Sequence, residues 1–141
     1  MIITQTPVRL SFLGGGTDYP SHYRQHGGAT LSATIDKYTT ITVHRLTSFV
    51  DCNIRVHYSL VEAVKHLDQV KHPSARECLR LMGIDQGVEI HYVTDLPART
   101  GLGSSSSASV GLLAALHAFQ GKLISQEALA ALAVYVEQEL I

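Results

Sequence analysis

Leu96-Pro97-Ala98-Arg99-Thr100-Gly101-Leu102-Gly103-Ser104-Ser105-Ser106-Ser107 is rich in glycine and serine and lies between two apolar segments. Just before it, Gly87 to Val93 alternates as a strand does, with Val88, Ile90 and Tyr92 on one face and Glu89 and His91 on the other. Just after it, Ser109 to Phe119 is small and apolar on nearly every side, the composition of a helix buried in a core. A strand, a glycine turn and a helix therefore follow one another. Glycines let the backbone turn tightly and approach a ligand, and the first N–H groups of the following helix point into the turn. With the helix macrodipole added, such a loop favours phosphate oxygens, and the hydroxyls of Ser104 and Ser105 suit either hydrogen bonding or a phosphate-bound Mg²⁺. A flexible serine-glycine linker would instead lie among polar residues. The P-loop pattern fails because Ser104 stands where lysine is required, and the dinucleotide fingerprint fails because serines follow Gly101-Leu102-Gly103.

Working outward, Ile2 to Leu13 reads as a strand that enters Gly14-Gly15-Gly16, followed by a polar, aromatic loop from Thr17 to Gly28. Ala29 to Leu46 is rich in Thr, Ile and Val and predicts one or two antiparallel strands, with Thr39, Ile41 and Val43 set against Thr40 and Thr42. Ile54 to Tyr58 predicts a short strand. Leu60 to Met82 predicts two helices separated near His72-Pro73. Ser125 caps a further helix carrying Leu129, Leu132, Val136 and Leu140, and the pattern is still running at Ile141. The expectation is one domain over residues 1–141 that continues beyond them.

The chain has 141 residues, 45% of them apolar, and a formal net charge of −1, which suits a single globular core and gives no footprint for nucleic acid. Eight histidines are scattered along it and read as ordinary surface or core residues. Cys52 and Cys78 are too few for a disulfide framework, and there is neither a secretory leader nor a long apolar span, so a cytoplasmic protein with no membrane contact is expected.

Pro97 to Ser105, as Pro-x-x-x-Gly-Leu-Gly-Ser-Ser, resembles the phosphate-binding motif of the GHMP kinases, the relatives of galactokinase, homoserine kinase, mevalonate kinase and phosphomevalonate kinase. Pro7 to Tyr19 resembles that family's N-terminal sugar-binding motif, with Gly14-Gly15-Gly16-Thr17-Asp18 in place of the Gly-Glu-His-Thr-Asp of galactokinases. The glycine version is similar to the heptose-phosphate kinase branch, which phosphorylates D-glycero-D-manno-heptose 7-phosphate at its anomeric hydroxyl. The likeness extends through Gly27 to Tyr38 and the Ser125 to Leu140 helix. It implies an α/β fold like domain 2 of ribosomal protein S5, mostly antiparallel sheet packed by helices, with ATP and Mg²⁺ as cofactors and a small sugar phosphate as substrate.

By the same resemblance, Pro97, Gly101, Leu102, Gly103, Ser104, Ser105 and Ser106 hold the ATP phosphates. Gly14, Gly15, Gly16, Thr17, Asp18 and Tyr19 bind the substrate, and Arg9 stabilises the transferring phosphoryl group. Ser104, Ser105 and Glu137 ligate the metal, with Glu139 as the competing carboxylate. The family's catalytic aspartate comes about a dozen residues after that glutamate, beyond this sequence, so the chain by itself is expected to be a poor catalyst. A binding module that keeps the loops without turnover is the alternative. Loss of neighbours for the last helices further predicts exposed apolar surface and a homodimer.

Overall fold

The computed structural model describes residues 1–97 and 100–141. Five strands, β1 (Ile2–Leu13), β2 (Leu31–Arg45), β3 (Ile54–His57), β4 (Val61–Val64) and β5 (Val88–Thr94), form one sheet in the order β1-β2-β5-β3-β4. β3 runs parallel to β5 and every other pairing is antiparallel, so the sheet is mostly antiparallel, as expected. The helices are α1 (Pro20–His26), α2 (Pro73–Leu81), α3 (Ser104–Phe119) and α4 (Gln126–Tyr135). A 3₁₀ turn (Leu67–Gln69) precedes α2, and a π turn (Val136–Leu140) extends α4.

Strand alternation sends Ile41, Val43, Ile54, Val56, Val88 and Ile90 to one face, where they pack with Cys78 and Leu79 of α2 and Leu112, Leu113 and Leu116 of α3. α3 lies across β1 and β2, between α2 and α4. The far half of the β1–β2 ribbon runs past the helices, with Phe12, Leu13 and Leu31 exposed. Its register shifts between Pro7 and Arg9, and Val8 at that bulge is buried.

Two expectations are corrected. The segment from Thr17 to Gly28 is not all loop: Pro20 starts α1, a helix that buries none of its residues and so shows no apolar periodicity. Leu60 to His72 forms β4 and the 3₁₀ turn rather than a helix. In β4 the buried residue is Glu62, while Val61 is exposed, which inverts the usual pattern of a half-buried strand. α2 begins at Pro73 as expected, capped by His72, whose Nδ1 accepts from Ala75 N–H. Ser125 caps α4 by accepting from Ala128 N–H. Both cysteines are free, and among the described residues no helix is long and apolar enough to cross a membrane.

Candidate active site

The glycine-serine loop leaves β5 at Thr94. Asp95 ties it to β2, its carboxylate accepting from Tyr38 N–H at 2.9 Å while its own N–H donates to Tyr38 O. Ala98 and Arg99, inside the motif, lie outside the described residues. Gly103 takes the left-handed conformation, φ 72°, and is the N-cap of α3. Ser107 N–H makes the first helical bond, to Gly103 O at 2.9 Å. By helix geometry the N–H groups of Ser104, Ser105 and Ser106 have no acceptor within the helix, and they face outward from its positive end.

Arg9 is brought to this turn by the backbone. Its N–H donates to Leu102 O at 3.0 Å, and its side chain lies against Gly103, where an added Cβ would be 3.2 Å from Arg9 Cγ. The guanidinium donates to Ser11 Oγ at 3.0 Å.

The π turn delivers a carboxylate to the same helix end. Ser106 Oγ donates to Glu137 Oε2 at 2.8 Å and Ser109 Oγ to Glu137 Oε1 at 3.2 Å. Glu139 points away, paired with Arg24 at the surface. Of the two candidate carboxylates, Glu137 is the one facing the serines. It meets Ser106 and Ser109, whereas Ser104 and Ser105 line the adjoining cavity. Carboxylate and hydroxyl oxygens are hard donors, so this end of α3 fits Mg²⁺.

The loop from Gly14 to Asp18 is braced internally. Thr17 Oγ1 donates to Gly14 O at 2.9 Å and accepts from Ala29 N–H at 3.2 Å. Asp18 and Tyr19 are exposed. Gln138, next to Glu137 in sequence, donates to Asp18 O at 3.2 Å, and Tyr23 Oη donates to Gln138 Oε1 at 3.0 Å. The π turn thus holds the carboxylate facing the serines and the loop bearing Asp18 in one framework.

A cavity of about 560 Å³ opens beside the serines, lined by Ser104 and Ser105 together with Tyr58, His72, Tyr92 and Thr94. His72 and Tyr92 stack with ring centres 4.8 Å apart. Tyr92 Oη is buried without an aligned partner, and burial holds its pKa well above the ordinary range. Glu62 organises the wall, accepting from Tyr58 Oη and from the N–H groups of Lys71 and His72. Burial pushes the Glu62 carboxyl up, and these hydrogen bonds outweigh it, so its pKa lies below the usual value.

The description of GHMP kinases, N-terminal domain, matches residues 60–141, more than half of the chain. The chain belongs to the GHMP kinase family. Over 147 aligned residues this GHMP kinase chain is 29% identical to D-glycero-alpha-D-manno-heptose 7-phosphate kinase of Campylobacter jejuni, covering 98% of the chain and 43% of that protein. It superposes with a TM-score of 0.81 and 22% identity on a D-glycero-D-manno-heptose 1-phosphate kinase from Bacteriodes thetaiotaomicron, covering 99% of the chain and 48% of that one. It also superposes on Streptococcus pneumoniae phosphomevalonate kinase solved with phosphomevalonate and AMPPNP, with a TM-score of 0.73 and 19% identity over 96% and 42% of the two chains. At such identities the structural likeness shows the fold. The chain spans less than half the length of each of these relatives.

In this GHMP kinase chain several residues near the serines gave no sequence signal. Tyr58 follows β3, His72 caps α2 and Tyr92 lies in β5, and only the folded sheet places them around one cavity. Ser109 and Gln138 flank recognisable motifs without belonging to them.

Proposed function

We propose that this chain is the nucleotide-binding half of an ATP-dependent sugar-phosphate kinase, acting on D-glycero-D-manno-heptose 7-phosphate at its anomeric hydroxyl. One observation carries the reading: the N-terminus of α3, the Arg9 side chain against Gly103, and Glu137 on Ser106 meet at a single turn. That turn supplies backbone N–H groups, a guanidinium and a carboxylate, the set a transferring phosphoryl group and its counter-ion require. Pro97, Gly101, Leu102, Gly103 and the serines cradle the ATP phosphates, and the cavity beside Ser104 and Ser105 takes the nucleoside. Glu137 and a serine hydroxyl hold Mg²⁺, which when bound neutralises phosphate charge.

On the substrate side, Asp18 accepts hydrogen bonds from sugar hydroxyls on a loop whose bare glycines let the ring approach. Arg9 offers fixed donors to the oxygens that gain charge as the sugar oxygen attacks the γ-phosphorus and the bond to ADP breaks. The carboxylate that orients the attacking hydroxyl and receives its proton is expected from the part of the enzyme beyond these residues. Heptose is favoured over other sugars by the Gly14-Gly15-Gly16-Thr17-Asp18 sequence and by the name of the curated relative.

Calorimetric titration with heptose 7-phosphate, and with mannose 6-phosphate as comparator, tests the substrate. The heptose should bind more tightly and lose about tenfold in Asp18→Asn, the loss expected for an acceptor of sugar hydroxyls. Equal binding of both sugars contradicts the heptose assignment, and an unchanged Asp18→Asn contradicts the loop's role.

A further inference from the structure

The helices cover one face of the sheet, and the opposite face carries its own cluster. Across β2 and β5, His44 stands opposite Glu89; across β5 and β3, Arg55 stands opposite Glu89 and His57 opposite His91. The alternation that sends Val43, Ile54, Val56, Val88 and Ile90 into the core sends these five side chains the other way. Three histidines that lie far apart in sequence are thereby stacked, His91 being 4.1 Å from His57 and 5.7 Å from His44 between ring centres. Glu89, with its side chain only 10% exposed, sits among them. His57 Nε2 and His91 Nε2 lie 2.8 and 3.2 Å from Glu89 Oε1, and His44 Nε2 lies 3.6 Å from Oε2.

Two details point to a cation beyond this ion-pair network. His44 Nδ1 is 3.2 Å from Arg45 O, and in the tautomer that donates there Nε2 turns a lone pair toward a carboxylate oxygen. Either a proton or a metal cation must lie between those two acceptors, and a backbone carbonyl on the far ring nitrogen is the usual support for a metal-ligating histidine. Separately, His57 Nε2 is buried and, despite its short distance to Glu89, has no aligned hydrogen-bond partner. Donor atoms of His44, Glu89 and His91 already lie within 4.8 Å of one another. A tetrahedral zinc ion with bonds of about 2.0–2.1 Å separates its ligands by about 3.3 Å, inside the spread of the nitrogen-to-carboxylate distances.

We propose that His44, Glu89 and His91, with His57 as fourth ligand, form a binding site for a divalent first-row transition ion such as Zn²⁺ on the helix-free face of the sheet. Imidazole nitrogens with one carboxylate select such an ion over Mg²⁺, which demands oxygen ligands. The three rings are close to parallel, so they turn about χ2, a torsion with broad wells, to aim at a common ion. Arg55, 3.5 Å from Glu89 Oε1, competes for that carboxylate. A bound ion cross-links β2, β5 and β3.

The test is calorimetric titration of the chelator-treated protein with Zn²⁺, with Co²⁺ absorption as the spectroscopic readout. One Zn²⁺ should bind, Co²⁺ should give a four-coordinate spectrum, and His44→Gln and His91→Gln should each weaken binding by about tenfold or more. Arg55→Gln should tighten it. Circular dichroism melts of the metal-free variants, and His44→Gln at a partly exposed position, guard against simple misfolding. Absence of zinc binding at micromolar concentrations overturns the proposal. So does binding that survives both histidine variants but is lost in His22→Gln, which would place the ion on the His22–His26 pair of α1 instead.

Discussion

Gly14 has no room for a side chain. A Cβ there would lie 1.9 Å from Ala29 O, and φ is 78°. Gly14→Ala should lose about 1–2 kcal/mol from the left-handed backbone alone, and more from displacing the Ala29–Thr30 backbone that precedes β2. Urea unfolding together with sugar-phosphate titration reads both effects; a variant as stable and as active in binding as the parent would refute the role. At Glu137 the expected effect is on binding. Glu137→Gln keeps the shape that meets Ser106 and Ser109 but removes the charge, so Mg²⁺-nucleotide affinity should fall about tenfold, about 1.4 kcal/mol, with little change in melting temperature. Both motifs stand out in the sequence because glycine, serine and aspartate recur in them at fixed spacing. His44, His57, Glu89 and His91 do not, since only strand register brings them together.

Elements with a buried apolar face were read correctly, and those without one were not. β2, β5 and α3 follow from Ile41, Val43, Val88, Ile90 and Leu112, all fully buried. α1 was missed because polar contacts hold it: Tyr23 to Gln138 and Arg24 to Glu139, both in the π turn. β4 was taken for helix because Val61, Val64 and Leu67 have helical spacing, while its inward residue, Glu62, is charged. Its burial rests on three donors. Glu62→Ala leaves the N–H groups of Lys71 and His72 unpaired and should cost about 1–3 kcal/mol. Glu139→Ala, which removes an exposed ion pair with Arg24, should cost less than about 1 kcal/mol. Equal losses in denaturant unfolding would mean that Glu62 is not the wall's organiser.

For the whole molecule, acid should act in two stages. Burial lowers the pKa of His72 below 6.5, so protons bind the unfolded chain more readily and stability falls as pH drops below about that value. Glu77 is held below 4.5, first by its bond from Arg80 and then by that from Arg76; Glu62 is also held below 4.5, by its own donors. Their contribution is complete above 4.5 and is lost as pH falls through their lowered values. Melting temperature should therefore decline from pH 7 to 5 and more steeply below 4.5, and Glu62→Gln should flatten the second stage. A melting temperature constant from about pH 7 to pH 5 would contradict the histidine assignment, and one constant from about pH 4.5 to pH 2 would contradict the carboxylate assignments. On the scale of the fold, a sheet covered by helices on one face leaves one helix N-terminus, one arginine and one carboxylate at the same turn.

Titration of this chain with Mg²⁺ and a non-hydrolysable ATP analogue, alongside a Ser104→Ala/Ser105→Ala variant of equal melting temperature, tests that convergence most directly. The account expects the parent to bind one nucleotide and the variant to lose most of that affinity. Equal binding by both proteins, or none by a folded parent, would show that the turn at Gly103 is not a working phosphate site.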